Sequence, residues 1–113
     1  MVKSGPAKKL TIYLDESYKI HGKPAFEAIL DILYKRKIMG ASVFRGIEGY
    51  GSDGVFHTAK ILELSTSLPV KIEAIDSEQR IDEVLLEITP IVHKGLIAVS
   101  DTTVIKCCTK EPQ

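Results

Sequence analysis

The residues best suited to bind a small ligand lie in a glycine-rich stretch from Glu48 to Thr58. Its three glycines are Gly49, Gly51 and Gly54. Closely spaced glycines can adopt positive φ angles, which lets neighbouring backbone N–H groups converge on an anion. About twenty residues separate Ile47 from Val70, many more than a tight hairpin needs, and such long connections are often functional. The stretch is therefore a candidate anion site, with a flexible surface hairpin as the alternative.

Basic side chains around this stretch would bring positive charge to an anion. They are Arg45, Lys60, Lys71, Lys94 and Lys106. Guanidinium and ammonium groups bind phosphate oxygens, although each of these residues also fits an ordinary solvated charge. The segment from His21 to Pro24 is a second candidate, because it precedes a predicted helix whose N-terminus favours anions. An ordinary helix cap explains that segment equally well.

The other reactive side chains do not form a catalytic or metal-binding pattern. The three histidines, His21, His57 and His93, lack the spacing of metal ligands. The sequence contains no nucleophile elbow and no Walker loop. Cys107 and Cys108 are adjacent, and neighbouring cysteines pair only through a strained ring, so we expect reduced thiols. The sequence predicts a protein without enzymatic activity, metal site or required cofactor.

The composition indicates one globular domain. The 113 residues are 44% hydrophobic and 27% charged, and 15 basic residues balance 15 acidic ones. This balance disfavours nucleic acid as a partner, because proteins that bind phosphate backbones usually carry excess positive charge. The chain has no apolar run near the roughly 20 residues that cross a bilayer and no signal peptide, so the default location is the cytoplasm. We expect a single domain over residues 1–113, ordered from about 8 to 106.

The first half of the chain predicts a strand, a helix and a second strand. Apolar residues alternate with polar ones at Leu10, Ile12 and Leu14, which is the period of a half-buried strand. Helical spacing follows from Pro24, and Gly40 is a natural stop. The second strand covers residues 41–47, where Gly46 indicates a bulge or the close approach of another backbone or a ligand. A further short strand is predicted near residues 61–64.

The second half predicts a strand, a helix and a last strand. Pro69 begins an alternating strand, and residues 76–79 form a capping box with Asp76 as the N-cap. The apolar positions of the helix that follows are Ile81, Val84, Leu85 and Ile88. Pro90 should kink or end this helix because it lacks a backbone N–H. After Gly95, the last strand runs over residues 96–99 and 104–105, with an interruption at Ser100 and Asp101.

The order β-α-β-β-α-β predicts an α+β, ferredoxin-like fold, in which two split β-α-β units form an antiparallel sheet with both helices on one face. Tyr13, Phe44 and Ile75 are out of phase with the residues that face the core. The opposite face of the sheet should therefore be partly apolar, and such a face usually contacts another subunit. We expect an oligomer.

Three stretches resemble the PII-like signalling proteins, and most closely an uncharacterised bacterial and archaeal branch of that superfamily. They are Gly40 to Gly51, Leu68 to Asp76 and Gly95 to Asp101. The most specific part is Gly49-Tyr50-Gly51, which is similar to the Gly-aromatic-Gly through which PII proteins enter their long T-loop. The resemblance covers about residues 8–106.

This resemblance implies a homotrimer that binds an adenine nucleotide (AMP, ADP or ATP) between subunits and regulates a protein target through the loop 49–58. A membrane transporter or channel is one candidate target. The base of the loop would be formed by Gly49, Tyr50 and Gly51. Gly95 would form the turn near the phosphates. Arg45 and Lys106 are assigned as phosphate partners from their charge and expected positions. The nucleotide would order the loop and change what it can dock against.

The chain also departs from the PII pattern. Leu96 stands where PII proteins have a lysine, the glycine- and lysine-rich turn before it shrinks to residues 93–95, and Cys107 lies where an arginine-rich segment would follow. Fewer phosphate contacts favour AMP or ADP over ATP linked to 2-oxoglutarate. The alternative is a metal-tolerance or protein-interaction module similar to the trimeric divalent-cation tolerance proteins, and a small enzyme ranks last.

Overall fold

The computed structural model describes residues 3–58 and 67–108, and within them two α-helices lie against a four-stranded antiparallel sheet. The sheet strands are β1 (Gly5–Asp15), β4 (Gly40–Arg45), β7 (Pro69–Asp76) and β8 (Leu96–Val104). The helices are α1 (Ala25–Lys35) and α2 (Glu78–Ile88). Two short hairpins are β2 (Lys19–Ile20) with β3 (Lys23–Pro24), and β5 (Glu48–Tyr50) with β6 (Phe56–Thr58). The predicted strand at residues 61–64 lies outside the described residues.

The sheet has the strand order β4-β7-β1-β8. Strand β7 therefore lies between the two strands of the unit β1-α1-β4, and β1 lies between the two strands of the unit β7-α2-β8. Ile12 pairs with Ile72 on one side and with Ile97 on the other. These residues face both helices, whose buried side chains are Ala25, Ile29, Leu33, Ile81, Val84 and Ile88. The predicted ferredoxin-like fold is confirmed.

The end of α1 differs from the prediction. The Lys37 N–H donates to the Tyr34 carbonyl and the Ile38 N–H to the Leu33 carbonyl, and Lys37 has a φ of 57°. This is a Schellman motif with lysine at the position that usually carries glycine. Gly40 was predicted to stop the helix but begins β4 instead.

The start of α2 also corrects the prediction, because the N-cap is Ser77 and not Asp76. The Ser77 hydroxyl accepts from the Arg80 N–H at 3.3 Å. Asp76 is completely buried and accepts hydrogen bonds from the N–H of Ser77, the N–H of Met39 and Nε of Arg80. Its carboxylate therefore ties α2 to the start of β4. As predicted, the helix ends just before Pro90, in a 3₁₀ turn (Thr89–Ile91).

The face of the sheet opposite the helices carries the predicted apolar side chains. One row across the sheet contains Phe44, Lys71, Tyr13 and Leu96 in register. Tyr13 and Phe44 are about half exposed, and Lys71 lies over the Phe44 ring with Nζ 4.9 Å from its centroid. Within residues 3–58 and 67–108, neither helix is long and apolar enough to cross a membrane.

The two adjacent cysteines follow β8. The structure places the sulfur atoms of Cys107 and Cys108 next to each other, and Cys108 has a φ of 61°. That their thiols are reduced stays a prediction.

Candidate functional site

The glycine-rich stretch forms a β-hairpin, which we call the loop hairpin (Glu48–Thr58). Glu48 pairs with Thr58, and Gly49 pairs with His57. At the tip, the Gly54 N–H donates to the Gly51 carbonyl at 2.9 Å. Of the three glycines in this hairpin, Gly54 alone has a positive φ, at 73°. The hairpin is the alternative that the sequence left open for this stretch.

Two glycines instead let the loop hairpin approach the start of β7. A Cβ on Gly46 would lie 2.9 Å from Cγ of Pro69, and a Cβ on Gly49 would lie 3.2 Å from it. The Gly46 N–H also donates to the Pro69 carbonyl at 2.7 Å. The close approach predicted at Gly46 is confirmed, and the neighbour is Pro69, through both its ring and its backbone carbonyl.

The loop hairpin displays an aromatic pair on its surface. The rings of Tyr50 and Phe56 lie with centroids 5.3 Å apart, and Tyr50 is 69% exposed. Ile47 and Val55 are also exposed nearby in the chain. An exposed ring offers an apolar face on which another flat ring can stack. Tyr50 is thus placed to contact a ligand or a partner.

Arg45 lies at the start of this region and is held by Glu16. The guanidinium donates from Nε and Nη2 to the two carboxylate oxygens of Glu16, at 2.8 and 2.9 Å. These hydrogen bonds lower the pKa of Glu16 and raise that of Arg45, because they stabilise both charged forms. Glu16 also accepts from the Leu68 N–H at 2.9 Å, and its own N–H donates to the Leu68 carbonyl.

Asp15 makes a second set of contacts beside Glu16. Its carboxylate accepts from the hydroxyls of Ser17 and Ser67 and from the Ser17 N–H. Nε2 of His57 lies 3.4 Å from Oδ2 of the same carboxylate. Sequence reasoning missed Asp15 and Glu16 because their partners lie far along the chain. The available signal was a pair of acidic residues where β1 ends, with an arginine where β4 ends.

Gly95 occupies a position that requires glycine. Its φ is 145°, and a Cβ there would lie 2.6 Å from the Tyr13 carbonyl oxygen. Tyr18 fixes the same turn, because its hydroxyl donates to the Ile91 carbonyl at 3.3 Å and accepts from the His93 N–H at 2.9 Å. The sequence predicted Gly95 as a turn residue but did not identify Tyr18.

The predicted site residues divide between the two ends of the sheet. Arg45 pairs with Val70, and Gly95 directly precedes the partner of Tyr13, so both lie at the end where β1 finishes. They sit at opposite edges of the four strands, about 14 Å apart at the usual strand spacing. Lys106 follows β8 at the other end of the sheet, about 26 Å away for a strand of that length. A single chain does not bring Lys106 to the others.

The remaining candidates form no site of their own. His21 and Gly22, with φ of 51° and 77°, form the turn of the β2–β3 hairpin, which leads into α1. Among the residues described, no three His, Cys, Asp or Glu side chains are grouped to hold a metal ion. Lys60 lies outside the described residues.

Comparison with known proteins identifies relatives at the level of sequence. The family model DUF190, described as "Uncharacterized ACR, COG1993", matches residues 7–104. A UPF0166 protein of Methanocaldococcus jannaschii is 42% identical over 106 residues, covering 93% of this chain and 97% of that protein. A UPF0166 protein of Aquifex aeolicus is 40% identical over 98 residues, covering 87% and 92%.

Several solved structures that share this fold are PII-like proteins. CPII from Thiomonas intermedia, a nitrogen regulatory PII-like protein, was solved bound to ADP and bicarbonate; it is 25% identical, with a TM-score of 0.66 and coverage of 92% and 93%. A PII-like signalling protein from Thermus thermophilus is 16% identical, with a TM-score of 0.65 and coverage of 92% and 94%. These matches confirm the predicted resemblance to PII-like proteins. The family model and the two UPF0166 relatives show that the chain belongs to the DUF190 (UPF0166) family.

Proposed function

We propose that this protein is a PII-like sensor that binds AMP or ADP beside the loop hairpin and signals through that hairpin to a protein target. The observation that carries the proposal is the likeness to CPII, whose structure contains ADP and whose fold spans nearly the whole of this chain. The exposed Tyr50 ring and the nearby Arg45 supply a stacking surface and a cation at one end of the sheet.

In this proposal, the nucleotide lies between the subunits of a homotrimer. Gly49, Tyr50 and Gly51 form the base of the loop, and Gly95 forms the turn near the phosphates. Lys106 joins the site from a neighbouring subunit, because it lies at the far end of its own sheet. The half-exposed row of Tyr13, Phe44 and Leu96 is the apolar surface expected to face other subunits. Few cationic groups are available, which favours AMP or ADP over ATP.

The nucleotide acts here as a signal and is not a substrate. The loop hairpin is already paired and packed on Pro69, so we expect the nucleotide to change how the hairpin is anchored, and not whether it forms. The target that reads this change is a protein, with a membrane transporter or channel as a candidate. None of the relatives and structures named above is described as an enzyme.

Titration calorimetry of the purified protein with AMP, ADP and ATP tests this function. We expect binding of AMP or ADP, and we expect Tyr50→Ala to weaken it at least about fivefold, because stacking of a base on an aromatic ring contributes about 1–3 kcal/mol. The control is Tyr34→Ala, which removes another exposed tyrosine from α1 and should leave the affinity unchanged.

Native mass spectrometry adds the oligomeric state and any nucleotide that co-purifies. A trimer is expected. Absence of heat with all three nucleotides would reject the nucleotide sensor. Heat on titration with a divalent cation, without heat from any nucleotide, would instead favour the metal-tolerance alternative.

A further inference from the structure

Two consecutive carboxylates connect the end of β1 to the chain on both sides of the loop hairpin. Glu16 binds Arg45, just before the hairpin, and the Leu68 N–H, just before β7. Asp15 contacts His57 within the hairpin and Ser67 next to Leu68. We call this set of contacts the latch (Asp15, Glu16, Arg45, His57 and Ser67). It connects the hairpin to the end of β1, in addition to the packing on Pro69.

Arg45 has two possible partners of the same chemical kind. Its Nε and Nη2 form one edge of the guanidinium, and both now donate to Glu16. A phosphate binds such an edge with the same bidentate geometry as a carboxylate. A phosphate that takes this edge must therefore displace Glu16. The Arg45 side chain is 61% exposed, so a ligand can reach it without disturbing the core.

Glu16 remains anchored when Arg45 leaves. Its side chain is 22% exposed, and it keeps the hydrogen bond from Leu68. The exchange thus separates the Arg45 side chain from the end of β1, while Glu16 keeps its contact with the residue before β7. The contact between Asp15 and His57 remains as a second, weaker tether of the hairpin.

We propose that Glu16 is an internal competitor of the ligand phosphate for Arg45, so that nucleotide binding opens the Glu16–Arg45 half of the latch. This step rests on the nucleotide site proposed above. Glu16 then has two effects. It weakens nucleotide binding, because its own contact with Arg45 must be broken, and it converts binding into release of the first strand of the loop hairpin.

Two substitutions separate these effects. Glu16→Gln removes the charge but keeps an oxygen that can accept from Leu68, whereas Arg45→Gln removes the shared cation. Both should open the latch, so hydrogen exchange at residues 46–50 without nucleotide should be faster in both variants than in the wild type. Their effects on ADP affinity should be opposite: about two- to fivefold tighter for Glu16→Gln, the size of an exposed ion pair, and weaker for Arg45→Gln.

The matched control is the ion pair between Arg36 and Glu87. It has the same bidentate form, at 2.9 and 3.3 Å, but joins the end of α1 to α2. Glu87→Gln should change neither the exchange of residues 46–50 nor the ADP affinity. In the wild type, ADP should raise the exchange of residues 46–50 toward the level of Glu16→Gln.

The outcomes distinguish this proposal from the proposed function. If ADP binds the wild type and Glu16→Gln binds it equally or more weakly, the competition is rejected and the nucleotide sensor stands. If ADP binds neither the wild type nor any variant, the nucleotide sensor is rejected. The proposal that a phosphate replaces Glu16 at Arg45 is then rejected with it. The hydrogen-exchange comparison still decides on the latch in that case: equal rates in Glu16→Gln and Glu87→Gln would overturn it.

Discussion

Two pairs of arginine and carboxylate lie at opposite ends of β7 and differ in how completely they are enclosed. At the end of β7, Asp76 is fully buried, and Arg80 contacts it while donating from Nη2 to the carbonyls of Arg36 and Lys37. Beside the start of β7, Glu16 and Arg45 form a bidentate pair whose guanidinium is mostly exposed. The chemistry is the same, but the surroundings differ.

This difference shows how one kind of contact serves two purposes. The buried Asp76 carboxylate receives hydrogen bonds from three partly buried donors, so that losing it leaves those donors without their acceptor. Solvent or another anion can replace Glu16 at Arg45 with little loss. The fold therefore rests on the enclosed pair, and the open pair is available for exchange with a ligand.

The largest effect should come from breaking the enclosed pair. Asp76→Ala removes the acceptor of three donors, which belong to Met39, Ser77 and Arg80, and each buried donor left without a partner costs about 1–3 kcal/mol. Urea denaturation would measure the loss. Asp31→Ala is the control, because Asp31 forms an exposed pair with Lys35 at 3.0 Å within one helix and should contribute little. Similar losses in the two variants would contradict the comparison.

A second, smaller effect concerns the turn at Gly95, which lies at the same end of the sheet as the loop hairpin. It tests whether the backbone of this turn is rigid. Gly95→Ala places a Cβ against the Tyr13 carbonyl at a φ of 145°, and such backbone strain costs about 1–3 kcal/mol. Thermal denaturation would show the lowered midpoint.

Gly51→Ala is the matched control in the loop hairpin. Within the described residues, no atom lies within 4 Å of a Cβ at Gly51, and its φ is not positive. Equal midpoints for the two variants would mean that the turn before β8 adapts as freely as the hairpin tip.

The elements of the fold were predictable because they depend on local periodicity. Alternation at Leu10, Ile12 and Leu14 marks a strand whatever lies elsewhere in the chain. The choice of N-cap was not predictable in this way, since Asp76 and Ser77 are both good caps. In the structure, the Asp76 carboxylate accepts from the Met39 N–H, 37 positions away, and such a distant contact is not visible in the local sequence.

The candidate site was predictable in position but not in its connections. The sequence placed Arg45 beside the glycine-rich stretch, yet it could not reveal Glu16 as the partner, because that contact depends on the register of β1, β7 and β4. The glycines gave a true signal of close approach, but the residue approached was Pro69. The positions of the glycines indicate where the backbone must come close to another group, but they do not identify that group.

The smallest effect concerns the pH dependence of the open pair. Arg45 lowers the pKa of Glu16 in the folded protein, so the pair stabilises the fold above the ordinary glutamate pKa, and this contribution disappears as the pH falls through the lower, folded value. The urea midpoint of wild type should therefore exceed that of Glu16→Gln at pH 7, by less than the loss in Asp76→Ala. The gap should close in acid, once the pH has fallen through the lower, folded pKa of Glu16.

Arg45→Gln provides the control for this pH effect, because it removes the cause of the shifted pKa. In that background, adding Glu16→Gln should leave the urea midpoint nearly unchanged at pH 7. If the full difference persists without Arg45, then Glu16 acts mainly through the Leu68 N–H, and the open pair contributes to the fold by hydrogen bonding and not by charge.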